Sequence, residues 1–293
     1  MVGKRVRCVA PPTATVARKH CRTGAQTGCA LLQIIAALVL AAVMAATPAK
    51  ASDRLDLRFE VFGFAGLHIL TTQTRAEVTP TGYAIGVNLE TRGIASAFVD
   101  LHSHSEVFGT LQKQTPHPEA YQAEIWRNGT DRDYRLKYLA DGNVVTTLAR
   151  PASQTVNVDP ARLRGSVDQL TAYFLVERQL ARTGMCSAVI PVYDGAEFYR
   201  LHFLDVKDVA LTADRHQNFA GATRLCEVVR ELIVANPDRK ESTYDRGRMW
   251  YARLLPDERM LPVRMEYDTA FGQVEGYLTD LDGAGVHLNF DGR

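Results

Sequence analysis

The residue types best suited to chemistry lie in His102-Ser103-His104-Ser105-Glu106. On an extended strand, residues two apart share a face, so His102, His104 and Glu106 would recur every ~6.6 Å along one side. Two imidazoles and a carboxylate are zinc-ligand types. A zinc site needs a further ligand at a matching spacing, and the chain offers none. The same alternation fits the polar face of a half-buried strand, so these three residues are weak metal candidates and no cofactor is expected.

Other constellations are less specific. Gly165-Ser166-Val167-Asp168 lacks the Gly-x-Ser-x-Gly elbow of a nucleophilic serine, and Gly93, Gly109 and Gly129 stand alone rather than in a phosphate-binding loop. Asp194 and Glu197 are close enough for a carboxylate pair, but Asp194-Gly195 also reads as a hairpin turn between two strands. Tyr193, Tyr199, Tyr244 and Tyr251 could border a ligand cavity or fill a core. No catalytic residue is assigned, and the reading leans against an enzyme. Asn128-Gly129-Thr130 matches a glycosylation sequon and equally a tight turn.

The elements that must position these residues begin after a leader. Residues 1–29 carry basic side chains and no acid, residues 30–46 are almost wholly apolar, and Ala49-Lys50-Ala51 has the small-x-small form of a signal-peptidase site. Residues 1–51 are therefore read as a signal peptide cleaved between Ala51 and Ser52, with an uncleaved anchor as the alternative. The implied destination is the periplasm, and membrane contact is confined to the leader. The whole chain has 34 basic and 33 acidic residues; removing the leader's seven basic ones leaves 27 against 33, a net charge of −6. Such a balance gives no electrostatic footprint for nucleic acid. Of five cysteines, Cys8, Cys21 and Cys29 leave with the leader, and in an oxidising compartment Cys186 and Cys226 are expected to form a disulfide.

Residues 52–293 read as one β-rich domain. In Leu55-Asp56-Leu57-Arg58-Phe59-Glu60-Val61 apolar and polar residues alternate, the signature of a half-buried strand. Turns at residues 63–66 and 79–82 separate it from strands at 67–78 and 83–91, and a further strand is expected at 97–108. Residues 111–119 contain two prolines and read as a loop. Strands at 120–126, 132–139 and 144–148 follow, the last two joined through Asp141-Gly142. The one convincing helix spans about residues 160–183. Asp159 caps it with Pro160 in the first turn, or it restarts at Ser166, and Gly184 ends it. Val167, Leu170, Phe174 and Leu175 share a face flanked by Tyr173, Val176 and Leu180, a stripe wide enough for burial on two sides. Asp168, Gln169, Glu177 and Arg178 are expected at solvent or at a cavity rim. Strands at 188–192, 198–209, 222–234, 248–254, 263–269 and 273–280 complete the sheet, with a charged loop at 236–245.

Several of these segments together resemble a known family. Val158-Asp159-Pro160, the helix bearing Asp168-Gln169-Leu170-Thr171-Ala172, Cys186, and Pro191-Val192-Tyr193-Asp194-Gly195-Ala196-Glu197-Phe198-Tyr199 are similar to the exported bacterial proteins of domain of unknown function 3108. Phe59-Glu60-Val61-Phe62 with Gly66-Leu67 resembles that family's opening hairpin. Leu261-Pro262-Val263-Arg264-Met265-Glu266 and Phe271-Gly272-Gln273-Val274 resemble its closing strands. Ala196-Glu197 stands where the family pattern carries basic residues. The resemblance covers residues 55–281 and none of its motifs is catalytic. It implies a mainly β protein: a strongly curved antiparallel sheet or half-open barrel packed around one main helix. A non-enzymatic binder of a lipid-like or hydrophobic ligand is the expectation. Leu170, Tyr173, Phe174, Glu177, Tyr193 and Tyr199 are its candidate cavity residues. The rival readings are an acid–base or metal enzyme acting on envelope polymers and a structural factor in envelope assembly.

Overall fold

The computed structural model describes residues 53–154, 156–236, 246–255, 259–269 and 272–290. The leader and its cleavage site lie outside these residues, as do Tyr244 and nearly all of the charged loop. The described chain is mainly β, with fourteen strands in one antiparallel sheet that does not close on itself. The first half is an up-and-down meander: β1 (Asp53–Phe62), β2 (His68–Val78), β3 (Gly82–Thr91), β4 (Leu101–Gln112), β5 (Thr115–Arg127), β6 (Thr130–Tyr138) and β7 (Val144–Arg150). A second meander follows: β8 (Ala188–Tyr193), β9 (Phe198–Leu211), β10 (Gly221–Val234), β11 (Arg246–Ala252), β12 (Leu261–Thr269), β13 (Gly272–Gly283) and β14 (Val286–Asn289). Pairing of β1 with β13 fuses the two halves, which leaves β7 and β8 as the edges of the main ladder.

Short turns account for the neighbour-to-neighbour order, because a tight connection permits only antiparallel pairing. Asn128 and Gly129 take φ of 49° and 79°, the left-handed pair that a two-residue hairpin requires. Alternation accounts for the faces. Leu55, Leu57, Phe59 and Val61 of β1 are all buried; Asp56 and Arg58 between them are half-buried, and Glu60 alone of the intervening residues is buried.

Residues 111–119 are not a loop. β4 runs to Gln112, Lys113 and Gln114 make the turn, and β5 starts at Thr115. Pro116 and Pro118 are tolerated because β5 overhangs its neighbour there: its pairing with β6 begins only at Ala120. A proline lacks the N–H for a ladder bond but costs little where no strand faces that side. A bulge after Phe108 further accommodates Pro118 opposite Gly109, where a Cβ would sit 2.1 Å from the His117 carbonyl oxygen. β4 itself starts later than expected, at Leu101, because Gly93–Ala97 forms a 3-10 turn. β14 has no counterpart in the sequence reading.

The helix expected over about residues 160–183 is divided at Gly165, where the sequence also allows a second start. α1 (Pro160–Leu163) is capped by Asp159, whose carboxylate accepts the Ala161 N–H at 2.9 Å. Gly165 (φ 78°) breaks the path, and α2 (Gln169–Thr183) starts afresh with Asp168, not Ser166, as its cap. Gly184 ends α2 in the left-handed conformation, its N–H bonded to the Leu180 carbonyl at 2.8 Å. Between the helices, residues 165–167 tie the sheet's edges together. Gly165 N–H donates to Gly142 in the β6–β7 turn, while Val167 exchanges backbone bonds with Pro191 and Tyr193 of β8. The Tyr193 hydroxyl lies 2.9 Å from Thr146 Oγ1 of β7, so the edges approach without pairing.

Burial around α2 has two sides, as the wide stripe predicts. Phe174 joins a core with Leu57, Ile85 and Tyr121, whereas Ala172, Val176 and Leu180 join another with Cys186, Val192 and Met249. Cys186 and Cys226 are bonded, with Cα atoms 6.3 Å apart, so the disulfide tethers the segment before β8 to β10 across β9.

Candidate functional site

An apolar concavity of about 590 Å³ lies against α2 and is lined from both halves of the sheet. Its strand walls follow from period two and register. Val61 faces Leu70 on one side and Gly276 on the other; Gly276 faces Met265, and Met265 faces Met249. This row crosses five strands on one face because directly paired residues project to the same side. Gly276 leaves part of the space: a Cβ there would meet Met265 Cε at 3.1 Å and Val61 Cγ2 at 3.5 Å. The helix wall follows period 3.6, with Leu170, Tyr173, Phe174 and Glu177 lining the cavity at i, i+3, i+4 and i+7.

The two walls differ in chemistry. That of β1–β4 is aliphatic apart from Phe59, Thr72 and Thr74. The opposite wall carries Gln169, Tyr199, Glu177, Arg230, Arg259 and Tyr267. Arg230 lies over the Tyr199 ring at 3.9 Å and is ion-paired with Glu197. Arg259 is almost fully buried, 3.9 Å from Glu177 and over the Phe174 ring at 5.4 Å. Burial raises the Tyr199 and Tyr267 hydroxyls well above their usual range, so both are neutral hydrogen-bonding groups in this wall. Apolar surface with a few convergent polar groups is the usual make-up of a small-molecule site.

Five of the six expected cavity residues, Leu170, Tyr173, Phe174, Glu177 and Tyr199, line this concavity. Tyr193 does not; it is buried at the β7–β8 seam. Tyr251 is a fully buried core residue whose hydroxyl meets Met249 Sδ at 3.3 Å. Of the four polar helix residues, Gln169 and Glu177 reach the cavity as expected, but Asp168 and Arg178 do not reach solvent. Arg178 is 3% exposed and donates from Nε to the Gln114 carbonyl in the β4–β5 turn at 3.1 Å. Asp168 is 0% exposed, and its carboxylate accepts the Thr171 N–H at 2.8 Å and the Thr171 hydroxyl at 2.7 Å. Thr171 Oγ1 in turn lies 2.9 Å from the Tyr83 hydroxyl of β3, which anchors the cap to the sheet. Burial pushes the Asp168 carboxyl up to about 6, against the Thr171 hydrogen bonds that favour its charge.

The remaining chemical candidates are accounted for locally. His104 Nδ1 lies 2.8 Å from Asn88 Oδ1 and its Nε2 3.5 Å from Glu106, while Glu106 accepts from Gln122 at 2.7 Å. His102 instead faces Asp100 at 3.1 Å and the Trp126 ring at 5.7 Å. These residues border two polar grooves on the solvent face of the sheet, where Asp56 is already paired with Arg54 and Arg75. Among the described residues, the one group with metal-ligand atoms within 4.8 Å of one another is Cys186, Asp205 and Cys226, whose sulfurs are joined in the disulfide. Ser166 Oγ donates to the Leu163 carbonyl at 2.7 Å and closes α1. Asp194 Oδ1 accepts the Ala196 and Glu197 N–H groups at 2.9 and 2.8 Å, a side-chain-stabilised hairpin turn, while Glu197 turns to Arg230.

Arg230, Arg259, Tyr267 and the two methionines escaped the sequence reading. The inward faces of β1 and β3 were signalled by alternation; Arg230 was not, since a cationic residue on a strand normally marks its solvent side, and Arg259 lies ahead of β12, where no strand or helix period applies.

The fold and this site define an antiparallel β protein with a half-open, mostly apolar concavity beside a helix. The chain belongs to the family of proteins of unknown function DUF3108, whose pattern matches residues 58–279. Two solved structures are similar at low identity. A β-barrel-like protein of domain of unknown function DUF1849 from Brucella abortus has 12% identity and a TM-score of 0.47. That alignment covers 80% of this chain and 98% of the other. A candidate lipoprotein from Parabacteroides distasonis also has 12% identity, with a TM-score of 0.30 over 80% of this chain and 96% of its own. No curated protein matches the chain.

Proposed function

We propose that this is an exported, periplasmic, non-enzymatic protein that carries a lipid-like ligand in the cavity between α2 and the sheet. In this reading the sheet is strongly curved, and α2 is the element it wraps around. The observation that carries the proposal is the cavity itself: about 590 Å³, within the ~300–1,000 Å³ of typical ligand sites, with one aliphatic wall and one wall bearing arginine, tyrosine and glutamate. An amphipathic ligand matches both, its chain against β1–β4 and its polar end toward Arg230 and Tyr199. Export rests on the leader and the Ala51–Ser52 junction, and the bonded cysteines suit an oxidising compartment.

The test is binding of a fluorescent fatty acid, with native mass spectrometry of protein gently extracted from cells. Val87 is half-buried and lines the aliphatic wall, so Val87→Trp fills the cavity. The expected result is saturable binding by the wild type, at least about tenfold weaker in Val87→Trp, as for the loss of one or more buried apolar groups. A ligand-free wild type that also ignores the fatty acid would sink the proposal.

A further inference from the structure

The two most exposed large apolar side chains of the described chain are neighbours in one turn. Phe98 is 77% exposed and Ile94 68% exposed, on and beside the 3-10 turn Gly93–Ala97 that joins β3 to β4. Residues 93–99, Gly-Ile-Ala-Ser-Ala-Phe-Val, contain no charged side chain. Leu67, 50% exposed, lies in the neighbouring β1–β2 connection. The two connections are adjacent: Arg92 N–H donates to the Ile69 carbonyl at 3.0 Å, and a Cβ on Gly93 would lie 3.3 Å from the His68 carbonyl oxygen. This is the end at which the cavity opens. Along β3 the lining changes from buried Ile85 to half-buried Val87 and Leu89, and half-buried Ile69, Leu70 and Leu101 complete the rim.

The geometry points to residues 93–99, with Leu67, as a hydrophobic tip that inserts into a lipid bilayer surface and brings the cavity mouth to it. This inference rests on the lipid-carrier reading and adds the surface from which the ligand is loaded. Three properties of the tip favour a bilayer over a protein partner. One is size: a seven-residue turn falls far short of the ~800 Å² per partner of a stable protein interface. Another is that part of its backbone is already bonded within the turn, which lowers the number of polar groups that insertion strands. Phe98 and Val99 N–H bond to the Ala95 carbonyl at 3.0 and 2.9 Å, and Ser96 Oγ bonds to the Gly93 carbonyl at 2.8 Å. The third is continuity, since exposed apolar side chains run directly into an apolar cavity mouth. The flanking Arg92 is already paired with Glu90, and residues 93–99 bring no charge of their own. Attachment is therefore hydrophobic and independent of anionic lipid.

The experiment uses the full chain, expressed with its leader, recovered in soluble form and floated with phosphatidylcholine vesicles at about 0.1 M and about 0.5 M salt. The wild type is expected to float equally at both. Ile94→Ser combined with Phe98→Ser is expected to lower the bound fraction about tenfold or more, because two large apolar groups are lost. The same variant should bind fluorescent fatty acid in vesicle-free buffer as the wild type does. A wild type that stays unbound, a variant that floats equally well, or flotation lost only at high salt would each overturn the inference. Loss of fatty-acid binding by both proteins would strike the carrier reading instead, and is read in a separate assay.

Discussion

Replacing Asp168 by Asn tests how the helix wall of the cavity is held. The carboxylate is inaccessible to solvent and caps α2 through Thr171, the turn from which Leu170, Tyr173 and Phe174 project into the cavity. Burial raises its pKa from 3.8 to about 6. The folded chain therefore holds this proton to higher pH than the unfolded chain does. The contribution to stability is complete below the unfolded value and is lost as pH rises through the folded one. At about 1.4 kcal/mol for each tenfold change in acidity constant, the loss amounts to ~3 kcal/mol between about pH 4 and pH 7. Asn keeps an oxygen for the Thr171 N–H and never ionises, so the variant lacks this slope. Other carboxylates titrate in the same range, and the informative quantity is the difference between the two proteins. Urea unfolding followed by circular dichroism at half-unit pH steps should show the Asn variant gaining ~3 kcal/mol relative to the wild type as pH rises through that window. A flat difference, or one of opposite sign, would refute the placement of Asp168 as a buried, ionisable cap.

Two further outcomes follow from the fold. Removing the disulfide with Cys186→Ser and Cys226→Ser, across a sequence separation of 40, should cost ~4 kcal/mol in the chain-entropy account; calorimetry checks it, and native protein should not react with a thiol reagent before reduction. Gly109→Ala places a methyl 2.1 Å from the His117 carbonyl oxygen at the β4–β5 bulge. Since the obstruction is backbone, the variant should lose at least ~2 kcal/mol in denaturant unfolding, and near-wild-type stability would contradict the bulge.

Much of the fold was legible because its determinants are local. Alternation at residues 55–61, Asp-Gly and Asn-Gly turns, and Gly184 after an apolar stripe each specify backbone conformation within a few residues. The proline-bearing start of β5 was misread because a proline's cost depends on whether a strand lies on its N–H side, and β6 stops short there. Asp168 and Arg178 were placed at solvent or a cavity rim because helix periodicity ranks faces by polarity. Arg178 is instead absorbed by Gln114, more than sixty residues away in sequence, and Asp168 by its own first turn and Tyr83.

The candidate site divides in the same way. The amino-acid order by itself determined most of the strands, the inward face of β1, the helix stripe, the cysteine partners and the family, though not the start of β5 or β14. Only the tertiary structure decided that β1 pairs with β13, which aligns Val61, Gly276 and Met265 and opens a cavity between chain segments more than two hundred residues apart. It also decided that Arg230 and Arg259 line the cavity and that Ile94 and Phe98 stand exposed in one turn. Side-chain periodicity is a property of neighbouring residues, whereas a cavity is the space left when distant faces meet, and no local pattern encodes which faces those are.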